Sequence, residues 1–172
     1  MRVSLRLAAL VLLLTGMRPA QGYDVLVSVT GTLIGNTCVA AADSLVKNVP
    51  LGTIGIKQFS RAGAVSNIKT PFTLKLEECG PTFAGVRITF SGTPDSVSPQ
   101  FIKVAEPGAT GVAVQILDAT GSPIPLNTQT KAYGTEGSDS VEMTFYARLI
   151  ATGDAVSVGP VSAIATWTTE YQ

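Results

Sequence analysis

The chain has no histidine, and only one tryptophan and two cysteines among its 172 residues. Without histidine, a Ser–His–Asp or Cys–His nucleophile and histidine-ligated zinc are excluded. Charge is sparse: Asp, Glu, Lys and Arg make up 14%, with 12 basic against 12 acidic residues. No basic run interleaved with aromatics offers nucleic acid a surface. Long apolar runs are missing too. Leu7–Met17 is the most extended, well short of the roughly 20 residues a spanning helix needs. A two-carboxylate glycosidase survives the composition test. However, Glu77–Glu78 is the only adjacent acidic pair, and neighbours on a strand point to opposite faces. The reading is of a chain that is not an enzyme and carries no cofactor or metal.

What is present begins with a leader. Arg2 and Arg6 form a basic start, Leu7 to Leu14 is unbroken apolar sequence, and Ala20 and Gly22 are small residues spaced like a cleavage site. Residues 1–22 therefore read as a secretory signal peptide, cut after Gly22 or, as second choice, after Ala20. Its removal takes Arg2, Arg6 and Arg18, leaving 9 basic against 12 acidic residues, a formal charge of −3. The remaining 150 residues suffice for one domain with a true core. In an exported chain Cys38 and Cys79 read most simply as one disulfide. Two sulfurs alone are too few for a metal site.

Strand periodicity dominates the rest of the chain. Phe72, Leu74 and Leu76 alternate with Thr73, Lys75 and Glu77. Val86, Ile88 and Phe90 alternate with Arg87, Thr89 and Ser91, and Val112, Val114 and Ile116 share a face. Val141, Met143, Phe145, Ala147, Leu149 and Ala151 form a long stripe, and Ala163, Ala165, Trp167, Thr169 and Tyr171 another. Between them lie turn sequences: CGP at 79–81, SGTPDS at 91–96, DATGSPIP at 118–125, GTEGSDS at 134–140 and TGDAVSVGP at 152–160. Short strands with this punctuation predict an all-β sandwich with no long helix. The stretch IGIKQFSRAG near 54–63 reads as a helical turn or an irregular edge crossing.

Both ends of this sandwich look like unblunted strand material, a liability for a free monomer. At the front, YDVLVSVTGTLIGNTC places Val25, Val27, Val29 and Leu33 on one face, with Gly31 as a gap between them. On the residues alone, Gly31 is equally a β-bulge or a notch matched to a partner.

Taken in order, these pieces resemble the subunits of chaperone–usher fimbriae, especially the small type 1-like pilins. The alternating arm contains a glycine, and Cys38 is the sixteenth residue after the leader. LKLEECGP, VRITFSGTPDS, VAVQILDATGSPIPLN and FYARLIATG come next. The ending GPVSAIATWTTEYQ has a penultimate tyrosine, Tyr171, and Gly159 fourteenth from the end. The resemblance implies an incomplete immunoglobulin-like sandwich, completed by a donor strand from another chain. Its partners would be a periplasmic pilus chaperone, an outer-membrane usher and neighbouring fimbrial subunits. It divides the chain into the signal peptide 1–22, a donor-strand arm at 23–34 and a pilin domain at 35–172. In that register Val25, Val27, Val29, Gly31 and Leu33 enter a neighbour's groove, with Gly31 at its shallow point. The strands Val141–Ala151 and Val161–Tyr171 would border this chain's own acceptor groove. Met143, Phe145, Ala147 and Leu149 would wall one side, and Ala163, Ala165 and Trp167 the other. Tyr171 and the carboxylate of Gln172 would meet the chaperone. The expected product is exported through the periplasm into a fimbrium on the cell surface, supporting adhesion. FYARLIATG and EYQ look more like a minor or adaptor subunit than a major shaft subunit. The alternative is a secreted carbohydrate-binding β-sandwich, which needs an exposed aromatic platform. Trp167, the sole tryptophan, falls on the inward face instead.

Overall fold

The long stripe of alternating residues becomes the central strand of the larger of two sheets. The computed structural model describes residues 30, 37–153 and 155–172. In chain order, strand β1 is Val39–Ala40, helix α1 Ala42–Leu45, β2 Thr70–Glu77, β3 Val86–Gly92 and β4 Ile102–Lys103. Then come β5 Val112–Leu117, β6 Pro123–Ile124, β7 Val141–Ala151 and β8 Ala165–Tyr171. A single 3₁₀ turn at Ile56–Gln58 falls in the stretch where a helical turn or edge crossing was expected. The leader 1–22 and the arm positions Val25, Val27, Val29, Gly31 and Leu33 lie outside the described residues.

The main sheet runs β1–β2–β7–β5–β4, with β6 also on β5, and every pairing is antiparallel. Strand β7 buries Val141, Met143, Phe145, Ala147, Leu149 and Ala151, while Glu142 on the opposite face is exposed. Phe72 pairs with Phe145, and Leu74 with Met143, so apolar residues of β2 and β7 share the inner face. The second sheet is β3 paired with β8. Residues 127–133 add to the other edge of β3, where the amides of Asn127, Thr130 and Tyr133 donate to the carbonyls of Phe90, Ile88 and Val86. Side chains from both sheets meet in one core, with Phe90 edge-on to Phe145 at 5.0 Å and Phe145 against Phe72 at 5.6 Å. Cys38 and Cys79 are disulfide-bonded, which ties the start of β1 to the end of β2.

Two strands depart from the simple alternation. All six residues of β5 are buried, not only Val112, Val114 and Ile116. This strand lies inside the sheet, between β7 on one side and β4 and β6 on the other. Its buried Gln115 remains satisfied because Arg148 Nε donates to Gln115 Oε1 at 2.8 Å. Strand β8 begins at Ala165 rather than at Val161. Just before it, Ser162 and Pro160 give their carbonyls to the amides of Ala105 and Ala109, which draws residues 160–162 away from the β3 ladder.

Gly134 shows how tightly one turn is built. Its φ is +84°, and a Cβ there would stand 2.7 Å from Phe83 Cε1 and from Val141 Cγ2. Phe83 and Val141 are both core residues and cannot retreat freely. Gly134→Ala is therefore expected to lower stability by about 2–3 kcal/mol, combining left-handed strain with overpacking. Denaturant titration of the folded chain checks this, and a change near zero would contradict it.

Candidate functional site: an open apolar groove

Among the described residues, the core between the two sheets is left uncovered along one side. A groove of about 880 Å³ opens there. Its floor is made by Phe72 and Leu74 of β2, Val114 and Ile116 of β5, and Ala147 and Leu149 of β7. One border is the segment 44–54, and the other is 159–165 with Trp167. A smaller cavity of about 150 Å³ shares Ile54, Leu149, Gly159 and Val161 with it.

The borders carry the information. Among the described residues, β8 pairs with β3 alone, so its other edge faces the groove without a ladder partner. The opposite border, 46–54, belongs to no strand. Its anchors are the half-buried Val49, Leu51 and Ile54, together with a bond from Thr70 Oγ1 to the Pro50 carbonyl at 2.9 Å. Proline fits such an edge because it removes a donor from the ladder. Leu45, Val46 and Ile164 stand on the rim at 66%, 87% and 80% exposure, apolar side chains with nothing over them.

Electrostatics do not define this site. Among the described residues, Lys47 is the only charged one on the lining. It is already paired, its Nζ 3.1 Å from Asp43 Oδ2, and that bond holds the Asp43 carboxyl below the ordinary carboxylate range. Among the described residues no group of His, Cys, Asp and Glu side chains could hold a metal. Glu77 pairs with Lys75, so the adjacent acids at 77–78 do not form a carboxylate pair for chemistry. What the groove can do is accept an extended chain. Apolar side chains would drop onto the floor, and main-chain groups would bond the unpaired edge of β8.

The expected wall residues divide between groove and core. Ala147, Leu149, Ala163, Ala165 and Trp167 line the groove. Met143 and Phe145 do not. They are 1% and 0% exposed, deep in the core, and Phe145 is capped by Phe72, Phe90 and Tyr133. Strand β7 thus supplies the groove's floor rather than its border. The second border is segment 44–54, which the strand pattern left unassigned. Its local signal is weak: Val46, Val49, Leu51 and Ile54 are apolar, but Pro50 and Gly52 break any period.

Tyr171 is turned inward, whereas Gln172 is exposed. Tyr171 Oη donates to the Cys38 carbonyl at 3.2 Å, and its ring meets Phe83 edge-on at 6.3 Å. The Gln172 amide donates to the Gly85 carbonyl at 3.0 Å. Its side-chain oxygen, in the amide orientation that satisfies both groups, accepts from Arg87 Nε at 3.0 Å and Nη2 at 3.1 Å. Trp167 is half-buried beside the groove and offers no exposed platform.

Comparison with known proteins gives this arrangement its context. Residues 27–172 match the family described as Fimbrial protein. The uncharacterized fimbrial-like protein YcbV of Escherichia coli strain K12 is 36% identical over 151 residues, covering 87% of this chain and 86% of YcbV. The S-fimbrial protein subunit SfaG of a uropathogenic Escherichia coli strain is 33% identical over 147 residues, covering 85% of this chain and 82% of SfaG. In fold, the crystal structure of the P pilus rod subunit PapA superposes with a TM-score of 0.66 at 22% identity, covering 78% of this chain and 99% of PapA. The strand pattern, the open sandwich and these relatives agree: the chain belongs to the fimbrial protein family and is a structural, non-enzymatic subunit of a chaperone–usher fimbria on the cell surface.

Proposed function

We propose that this subunit polymerises by donor-strand exchange: its groove accepts a strand from another chain, and its own residues 23–34 fill the groove of a neighbour. The observation that carries this is the coincidence, among the described residues, of an unpaired β8 edge with an uncovered apolar floor. In the periplasm a pilus chaperone supplies the strand, and at the outer-membrane usher the arm of the next subunit replaces it. Val25, Val27, Val29 and Leu33 supply the apolar face of the arm, and Gly31 is the notch that passes the shallow part of the neighbour's groove. Tyr171 and Gln172 lie at the end of β8, where a chaperone pairing along that strand would arrive. The fibre position we propose is a minor or adaptor one, on the strength of FYARLIATG and EYQ.

Deleting residues 23–34 and coexpressing the remainder with its chaperone is the direct test. A soluble chaperone complex that accepts an incoming arm but can no longer be donated onward is expected. A truncated chain that stays monomeric and takes up neither the chaperone's strand nor an incoming arm would defeat the proposal. Counting this subunit per fibre by quantitative mass spectrometry decides its position: a few copies fit an adaptor, and hundreds fit the shaft.

A further inference from the structure

We propose that Tyr171 is a positioning residue for the root of the arm, its hydroxyl tying the end of β8 to Cys38, in the body just past the arm. The inference rests on the donor-strand reading above. It starts from a contact across 133 residues of sequence: Tyr171 Oη donates to the Cys38 carbonyl at 3.2 Å. A tyrosine ending a strand that pairs along one edge could leave its hydroxyl in water. Here the ring is half-buried against Phe83, and the hydroxyl is committed to the backbone.

Cys38 is the place where such a bond matters. The segment leading to it contains the arm, and Cys38 itself is held at two points. The disulfide fastens it to Cys79, and Val39 pairs with Glu77. The disulfide fixes the side chain of Cys38. The Tyr171 bond fixes its carbonyl, and so the orientation of its peptide plane. Tyr171 is itself secured, because the adjoining Gln172 is bonded to Gly85 and Arg87. One strand thus serves both ends of assembly: its open edge borders the groove, and its last side chain holds the base of the arm. A chaperone that took the Tyr171 hydroxyl for itself would have to release Cys38, so the intramolecular role and direct recognition of that hydroxyl are competing uses.

Tyr171→Phe removes the hydroxyl and keeps the ring. The test uses the chain from Tyr23 onward, its groove filled by a synthetic peptide with the sequence of residues 23–34, and reads ¹⁵N relaxation at Thr37 and Cys38. The native chain is expected to show rigid amides there, with order parameters of about 0.85, and the variant values below about 0.6. The rate of peptide uptake is expected to stay at its native level, since Tyr171 is not on the groove lining. Rigid amides at 37 and 38 in the variant would overturn the proposal. So would a loss of chaperone complex, which would assign the hydroxyl to the chaperone. A parallel fall in peptide uptake would also overturn it, by making Tyr171 simply a support of the groove. If the native chain takes up neither this peptide nor the strand of its chaperone, the donor-strand reading itself fails and the proposal falls with it, a result distinguishable from the other three.

Discussion

Ala165→Asp is expected to leave the free body folded and to abolish uptake of an incoming strand. Ala165 is exposed in the structure yet lines the groove, directly beside the open edge of β8. A carboxylate there is hydrated until a strand lies over it. On insertion it must be buried unpaired, because the lining cation, Lys47, is already bonded to Asp43. The chain escapes by protonating the new acid. From an ordinary aspartate pKa of about 3.9, doing so at pH 7 costs about 4 kcal/mol, or roughly 10³-fold in affinity. This fixes the sign of the pH dependence. The occupied state raises the pKa of this acid and the open state does not, so binding recovers as pH falls toward about 4 and worsens above it. Titrating a labelled peptide of residues 23–34 into native and variant chains at several pH values measures this. Equal affinities at pH 7 would show that the groove is not where the strand goes.

Phe145→Ala is expected to lower stability by about 3–5 kcal/mol, the range for removing a buried aromatic. Phe145 is 0% exposed and touches three other rings, those of Phe72, Phe90 and Tyr133. Those rings come from β2, β3 and the segment beside β3, so the side chain joins the two sheets rather than one strand pair. The void cannot close without moving both layers. In a body already open along one side, that loss is a large share of a total stability of about 5–15 kcal/mol. Thermal melting of the peptide-filled chain should show a midpoint lower by roughly 6–20 °C, at 2–4 °C per kcal/mol for a domain of this size. An unchanged midpoint would mean the cluster is not the joint between the sheets.

Legibility in the sequence tracked the range of the interaction. The stripe Val141–Ala151 is written at period 2, and β7 occupies those residues. The faces of β2 and β3 were equally plain, because each strand has one apolar and one polar side. For β5 the pattern identified one buried face and missed that Ala113, Gln115 and Leu117 are buried too. Nothing local distinguishes a small or amide side chain in water from one covered inside a sheet. The groove was legible by half. Ala147, Leu149, Ala163, Ala165 and Trp167 sit on or beside strands, and their faces were readable. Segment 44–54 was silent, because a border that makes no ladder imposes no period. Met143 and Phe145 carry the same pattern as Ala147 and Leu149. They differ only in what lies above them, which belongs to β3 and its neighbour rather than to β7.

The sequence by itself determined the longer strands β2, β3, β5 and β7, the pairing of the two cysteines, and the absence of histidine chemistry. These depend on residue type and on spacing along one stretch of chain. The family resemblance rested on the same kind of information, since it is carried by motifs in order. Only the tertiary structure decided where the core is left uncovered, which segment forms the second border, and that the hydroxyl of Tyr171 reaches the Cys38 carbonyl. Those features arise where chain segments far apart in sequence come together. A side chain's partner across such a distance is set by the packing of the whole body, and no local pattern encodes it.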